Sequence, residues 1–261
     1  MAKAWPLLLV AVATPVEAAP PPRAASVNLC TDELLLILAR PDQIATVTHL
    51  SQQPEETPLW RQARRYPTND GSLLSVVQHR PKIVFTQGGR GHDRQRIAAR
   101  LGIRTVALPF PQSIDDVIAA VRIVARELDR EAAGETVVRS IAIVRRAAPS
   151  KRLDTLYLSG GGQSVGATGL AADWMSLAGL RQRALQGDRV GLEQLLVSPP
   201  AVLLRSSYRS GEYSSQQRWL SHPLAARVKA KRELSTDGRL WTCMGPLLVP
   251  EIVRLRREVA R

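Results

Sequence analysis

The strongest constraint on this 261-residue chain is a repeat. Two segments match without gaps at an offset of 119 residues: Leu73 falls on Leu192, Val76 on Leu195 and Val77 on Leu196. Pro81 falls on Pro200, and Ile83, Val84 and Phe85 fall on Val202, Leu203 and Leu204. Each copy reads as a helix with an apolar side, a proline that stops it, and a buried strand. One unit used twice at this distance implies two similar lobes. Around both copies, strand-like and helix-like segments alternate. ASVNLCTDELLLILA, IATVTHL and QRIAARLGIRTVALP lie in the first half, and DTLYLSGGG, LAADWMSLAGL and HPLAARVKAKREL in the second. That alternation predicts parallel sheets with helical crossovers. The Pro- and Arg-rich stretch 51–69 reads as a loop with a turn of helix.

The halves are separated by a helical block, Ile114 to Ala148. Apolar side chains recur at Ile114, Val117, Ile118, Val121, Val124 and Leu128, then at Val137, Ile141 and Val144. Steps of three and four place them on one helix face. Ser113, with Asp115 and Asp116 in the first turn, forms an N-terminal cap that suits the helix dipole. Gly134 marks a break, giving two consecutive helices. The block is consistent with a connector between two lobes. On its own it is also consistent with one continuous α/β domain whose middle is helical; the repeat favours the two-lobe reading.

Lys3, the apolar run Trp5 to Ala13 and the small residues before Ala18 make a secretory signal peptide over residues 1–18. The mature chain is then expected to be exported and soluble. The net charge is +13, but the basic residues are scattered and no dense Lys/Arg run carries interleaved aromatics, so nucleic-acid binding is not expected. A basic cleft for an anionic ligand remains consistent with the charge. No histidine of His49, His79, His92 and His222 stands at metal-ligand spacing from another, so no bare metal site is expected. The glycine run Gly160 to Gly162 lacks nucleotide-binding spacing, and no resident cofactor is expected.

The ordered set NLCTDELLLILARPDQIATVTHLS, LLSVVQHRPKIVFTQGG, LGIRTVALPFPQSIDDVIAAVRIVARELDR, SGGGQSVGATGLAADWMSLAGL and LEQLLVSPPAVLL resembles the helical-backbone class of periplasmic binding proteins. These serve ABC importers of vitamin B12 and ferric siderophores. The resemblance implies an α/β fold of two Rossmann-like lobes, joined by a long connecting helix, with the ligand cleft between them. The lobes would span 24–129 and 149–261, with 130–148 as the connector. It implies a monomer that takes a metal chelate (a ferric siderophore or cobalamin-like corrinoid, with haem a further option) to an inner-membrane permease.

Ligands of open α/β sheets sit beyond the carboxyl ends of the strands. The candidates there are Asn28, Thr31, His49, Gln87, Arg90 and Phe110 in the first lobe. The second lobe supplies Gln163, Tyr208, Arg209 and Trp241. Phe110, Tyr208 and Trp241 are aromatic walls for a planar ligand, and the repeat-related Arg90 and Arg209 form an anionic subsite. By family topology Cys30 and Cys243 lie near the cleft, either bonded across it or free. The family also docks through a glutamate on each lobe. Glu193 fills that position in the second lobe, while its repeat mate is Leu74. The alternative reading is a secreted serine hydrolase using the Gly162-Gln163-Ser164-Val165-Gly166 pattern, with Asp188 and His222 completing a triad. A sensory or scavenging binding module without an importer is a third reading.

Overall fold

The structure is a computed structural model that describes residues 21–88, 92–187, 189–209, 223 and 230–261. The first half forms a sheet from β1 (Ala24–Ser26), β2 (Ile44–Thr48), β3 (Thr68–Asn69), β4 (Ile83–Gln87) and β5 (Arg104–Leu108). Its order is β3-β2-β1-β4-β5, and every neighbouring pair is parallel. The second half forms a sheet from β6 (Leu153–Leu158), β7 (Leu180–Gln182), β8 (Val202–Ser206) and β9 (Arg232–Thr236). Its order is β7-β6-β8-β9, again all parallel.

The repeat lands on equivalent places. Its helices are α3 (Leu73–Val77) and α8 (Leu192–Val197), and its strands are β4 and β8. β4 lies between β1 and β5, as β8 lies between β6 and β9. Ile83, Val84 and Phe85 are buried, and so are Val202, Leu203 and Leu204. Continuous apolar runs of this kind suit parallel strands covered on both faces. The remaining helices of the first half are α1 (Leu29–Leu38), α2 (Trp60–Ala63) and α4 (His92–Arg100). Among the described residues, those of the second half include α7 (Leu170–Leu177), α9 (Leu240–Cys243) and α10 (Leu248–Ala260). Two short strands lie in stretches read otherwise from sequence. β3 closes the 51–69 loop, and β7 follows α7 after only Ala178 and Gly179, the glycine turning the chain at φ 82°.

The helical block folds as α5 (Ile114–Glu127) and α6 (Glu131–Arg146), a hairpin that belongs to both lobes. Ser113 and Asp116 form a reciprocal capping box at the start of α5. At that end Ile114 and Val117 join the second lobe's core, whereas Val121, Val124 and Leu128 join the first lobe's core. α6 runs back: Val138 packs in the first core, Ile141 and Val144 in the second. Ile118 and Val137 touch both cores. Burying one such aliphatic side chain contributes roughly 1.5–3 kcal/mol, so this seam is a major part of what joins the lobes.

The break lies elsewhere than Gly134. The chain reverses at Asp129, which adopts φ 55°, and Gly134 sits inside α6. Its lack of a side chain serves packing: a Cβ there would stand 2.5 Å from the Cβ of Ala125. The glycine marks a close approach of two helices.

Candidate functional site

The carboxyl ends of the two sheets face a cleft with cavities lined from both lobes. One, of about 540 Å³, is bounded by Gln87, Phe110 and Gln112 from the first lobe and by Val165, Thr168 and Leu170 from the second. Another, of about 570 Å³, is bounded by Pro54 and Glu55 from the first lobe and by Ser207, Arg209, Asp237 and Arg239 from the second. A smaller one, of about 210 Å³, lies at the ends of β1 and β4, where Asn28, Thr86, Gln87 and Gly88 meet. The first cavity is largely apolar and neutral, while the second is lined by opposed charges.

Several expected residues reach these cavities. Gln87 ends β4 and lines two of them. Phe110 follows β5 and is 64% exposed, an unusual degree for phenylalanine. Its ring lies over Gly88, where any Cβ would collide with it. That contact fixes the aromatic wall of the first cavity. Asn28 has a second task, capping α1 by accepting from the Thr31 amide at 2.9 Å. His49 is exposed just beyond β2, its Nδ1 3.4 Å from the Asn69 carbonyl. Gln163 is exposed at the end of the glycine turn after β6.

Two expected residues are corrected. Thr31 is 1% exposed; its hydroxyl hydrogen-bonds Ser26 at 2.7 Å and lies within reach of the Asn28 carbonyl, so it is buried within the turn that starts α1. Trp241 is 4% exposed and packs on Tyr157 with ring centroids 5.3 Å apart. Its indole N–H donates to Thr236 Oγ1 at 2.8 Å, so it is a core side chain. Arg90 lies outside the described residues, and with it the pairing across the cleft to Arg209.

Tyr208 and Arg209 meet a partner from the opposite lobe that sequence reasoning missed. Glu56 is 4% exposed. The Tyr208 hydroxyl donates to its Oε2 at 3.0 Å, and the Arg209 guanidinium pairs with its Oε1. Burial and the Glu56 carboxylate push the Tyr208 phenol up, and the same carboxylate holds the Arg209 guanidinium still further above its usual value. Close by, Arg239 Nη1 donates to the Pro54 carbonyl at 2.7 Å, again across the lobes. Nothing in the PEET stretch distinguishes Glu56 from an ordinary loop carboxylate; only the fold reveals its partners.

Cys30, in the first turn of α1, and Cys243, at the end of α9, form a disulfide with Cα atoms 5.2 Å apart. It joins the lobes and forms part of the wall of the first cavity. Behind it α1 carries two buried acids. Burial pushes Asp32 up to about 6, against donations from Ser26, Thr48 and Ser51. Burial also pushes Glu33 up to about 8, with only the Thr57 hydroxyl, 2.7 Å from Oε1, as a strong opposing donor.

The hydrolase pattern does not form a nucleophile elbow. Ser164 Oγ donates to the Tyr157 carbonyl at 2.6 Å and accepts from Gln182 Nε2 at 3.1 Å. The following helix starts only at Leu170, whereas an elbow places its serine on a sharp strand-to-helix turn. Asp188 and His222 lie outside the described residues. Among the described residues no group of three or more His, Cys, Asp or Glu side chains could hold a metal ion.

No family model matches the sequence, and the search of curated proteins finds no similar one. Solved structures share the fold. The periplasmic haem-binding protein HutB of Vibrio cholerae aligns with TM-score 0.71 at 17% identity, covering 92% of this chain and 99% of that one. The periplasmic haem-binding protein RhuT from Roseiflexus sp. RS-1, in apo form, aligns with TM-score 0.69 at 19% identity, over 91% and 97%. The periplasmic vitamin B12-binding protein BtuF of Vibrio cholerae aligns with TM-score 0.63 at 13% identity, over 91% and 96%. The chain therefore has the bilobal fold of the helical-backbone periplasmic binding proteins, shared with solved haem- and vitamin B12-binding proteins.

Proposed function

We propose that the chain is an exported solute-binding protein that captures a metal chelate between its lobes and delivers it to an inner-membrane ABC permease. The chelate classes are ferric siderophore, corrinoid and haem. The observation that carries this reading is the meeting of two parallel-sheet carboxyl ends at cavities lined from both lobes. The neighbours' haem and vitamin B12 ligands support it, as does the N-terminal run with signal-peptide features over 1–18. The hydrogen bonding of Ser164 supports a binding role over a hydrolytic one.

Docking on the permease is assigned to the outer faces of the repeated helices. Glu193 is exposed in the first turn of α8, and its mate Leu74 on α3 is 85% exposed. The first lobe therefore offers an apolar side chain where the second offers a carboxylate.

Thermal melting of the purified mature chain against haem, cobalamin and a siderophore panel tests the proposal. A specific ligand raises the melting temperature by mass action. The expected result is a rise with one chelate class. No shift with any of them, together with labelling of Ser164 by a fluorophosphonate probe, would replace this reading with the hydrolase.

A further inference from the structure

The polar contact across the lobes has the chemistry of a ligand subsite that is already filled. Tyr208 and Arg209 follow β8, where ligands of such sheets are held. A phenol and a guanidinium side by side make a carboxylate site, because both donate and the guanidinium carries the charge. In this structure the carboxylate they hold is Glu56, from the other lobe. Glu56 is enclosed, its side chain 6% exposed, yet Arg209 keeps 40% of its side chain open to solvent and lines the cavity of about 570 Å³. The residues flanking Glu56 are held on both sides. Pro54 is held through its carbonyl by Arg239, and the Thr57 hydroxyl donates to Glu33. The loop therefore stays in place when the Glu56 side chain turns away, and the carboxylate can exchange without unfolding the segment.

We infer that Glu56 is an internal stand-in for a ligand carboxylate: the bound chelate carries free carboxylates, and one of them displaces Glu56 from Tyr208 and Arg209. The inference rests on the chelate-binding reading and narrows its substrate class to acidic chelates such as haem, away from corrinoids whose periphery is carboxamide. It also makes the ion pair a latch. While Glu56 holds Arg209 the lobes are joined there, and the ligand's acid releases that joint as it binds. The disulfide Cys30–Cys243 keeps the lobes tethered throughout.

The test is equilibrium titration with haem and with haem dimethyl ester, which lacks the two acids, on the parent, Glu56→Gln and Arg209→Gln. The parent is expected to prefer haem over the ester. Glu56→Gln removes the competing charge and is expected to tighten haem about tenfold while leaving the ester unchanged. Arg209→Gln is expected to abolish the preference for haem, and serves as the second readout if Glu56→Gln melts early. Equal binding of acid and ester by the parent overturns the inference, as does a Glu56→Gln effect of the same size on both. Binding of cobalamin but not of haem overturns it while leaving the chelate reading intact. Binding of no chelate at all removes both.

Discussion

Along α5 and α6 the lobes share an apolar seam, whereas across the cleft they are joined by one disulfide and a few charged and hydrogen-bonded contacts. In the hairpin, Ile118 and Val137 touch both cores, and the contact between the lobes there is apolar packing. Across the cleft, each contact uses a group with a second capability. Glu56 and Arg209 can exchange partners, the cysteines can be reduced, and Tyr208 can donate elsewhere. The contrast teaches that the permanent joint is built from area removed from water, and the adjustable joint from groups whose partners can be replaced. Apolar burial is non-directional and has no competitor in solvent. In the Glu56–Arg209 pair the carboxylate is enclosed, but the guanidinium keeps part of its side chain in solvent, where another anion can reach it.

The largest expected effect comes from cutting the covalent link of the adjustable joint. The double variant Cys30→Ser with Cys243→Ser should lose about 2–5 kcal/mol, because the disulfide closes a loop with a sequence separation of 213. In thermal melting that is a fall of roughly 5–15 °C. Hydrogen exchange should rise around α1 and α9 and stay unchanged along α5 and α6. Equal loosening of both joints would break the contrast.

Gly134→Val probes the permanent joint. Its new side chain meets Ala125 across the hairpin, where even a Cβ has only 2.5 Å. Overpacking of this kind costs about 1–3 kcal/mol. Exchange should then rise in both helices while the disulfide region keeps its protection. A neutral melting temperature would show that the helices part freely and that the seam is looser than the structure indicates.

A smaller effect concerns the acid beneath the cleft. Glu33 is raised from the ordinary 4.5 to about 8 by burial, so the folded state favours its protonated form. The sign follows: its contribution to stability is full below about pH 4.5 and is lost as pH rises through 8. Asp32, raised to about 6, acts in the same direction over a lower window. The parent should therefore melt at lower temperature at pH 9 than at pH 6. Glu33→Gln should flatten that upper part of the curve while leaving the Asp32 step. Melting curves at a series of pH values check it, and an unchanged slope in the variant would show that Glu33 is solvated.

The smallest effect on the fold and the most local on function is expected at α8. Glu193→Ala should leave melting and chelate affinity unchanged and lower uptake in vesicles carrying the cognate permease. Leu74→Ala tests the apolar counterpart on the first lobe. Uptake equal to the parent's in both variants would remove these helices from the docking surface and favour a scavenging role.

The repeat made most of the architecture legible before any coordinates. Pro81 and Pro200, each followed by three apolar residues, marked strands that are central and buried in both sheets. What escaped was decided by tertiary contact. Gly134 looks like a helix breaker in sequence, yet the space next to Ala125 determines its role. Trp241 and Thr31 stood at strand-end positions, but their polar atoms find Thr236 and Ser26 and turn them inward. Glu56 was invisible because its partners lie 152 and 153 residues away, on the other lobe. Phe110, expected at a strand-end tip, is exposed there, with its ring against Gly88.

The central claim is that a chelate is held between the lobes by their strand-end loops. Hydrogen exchange with and without the chelate that raises the melting temperature most tests it directly. The account predicts protection in both lobes at once: around Asn28 and Gln87–Gly88 in the first, and around Gln163 and Ser207–Arg209 in the second. Protection confined to one lobe, or lying on the outer faces of α3 and α8, would contradict it.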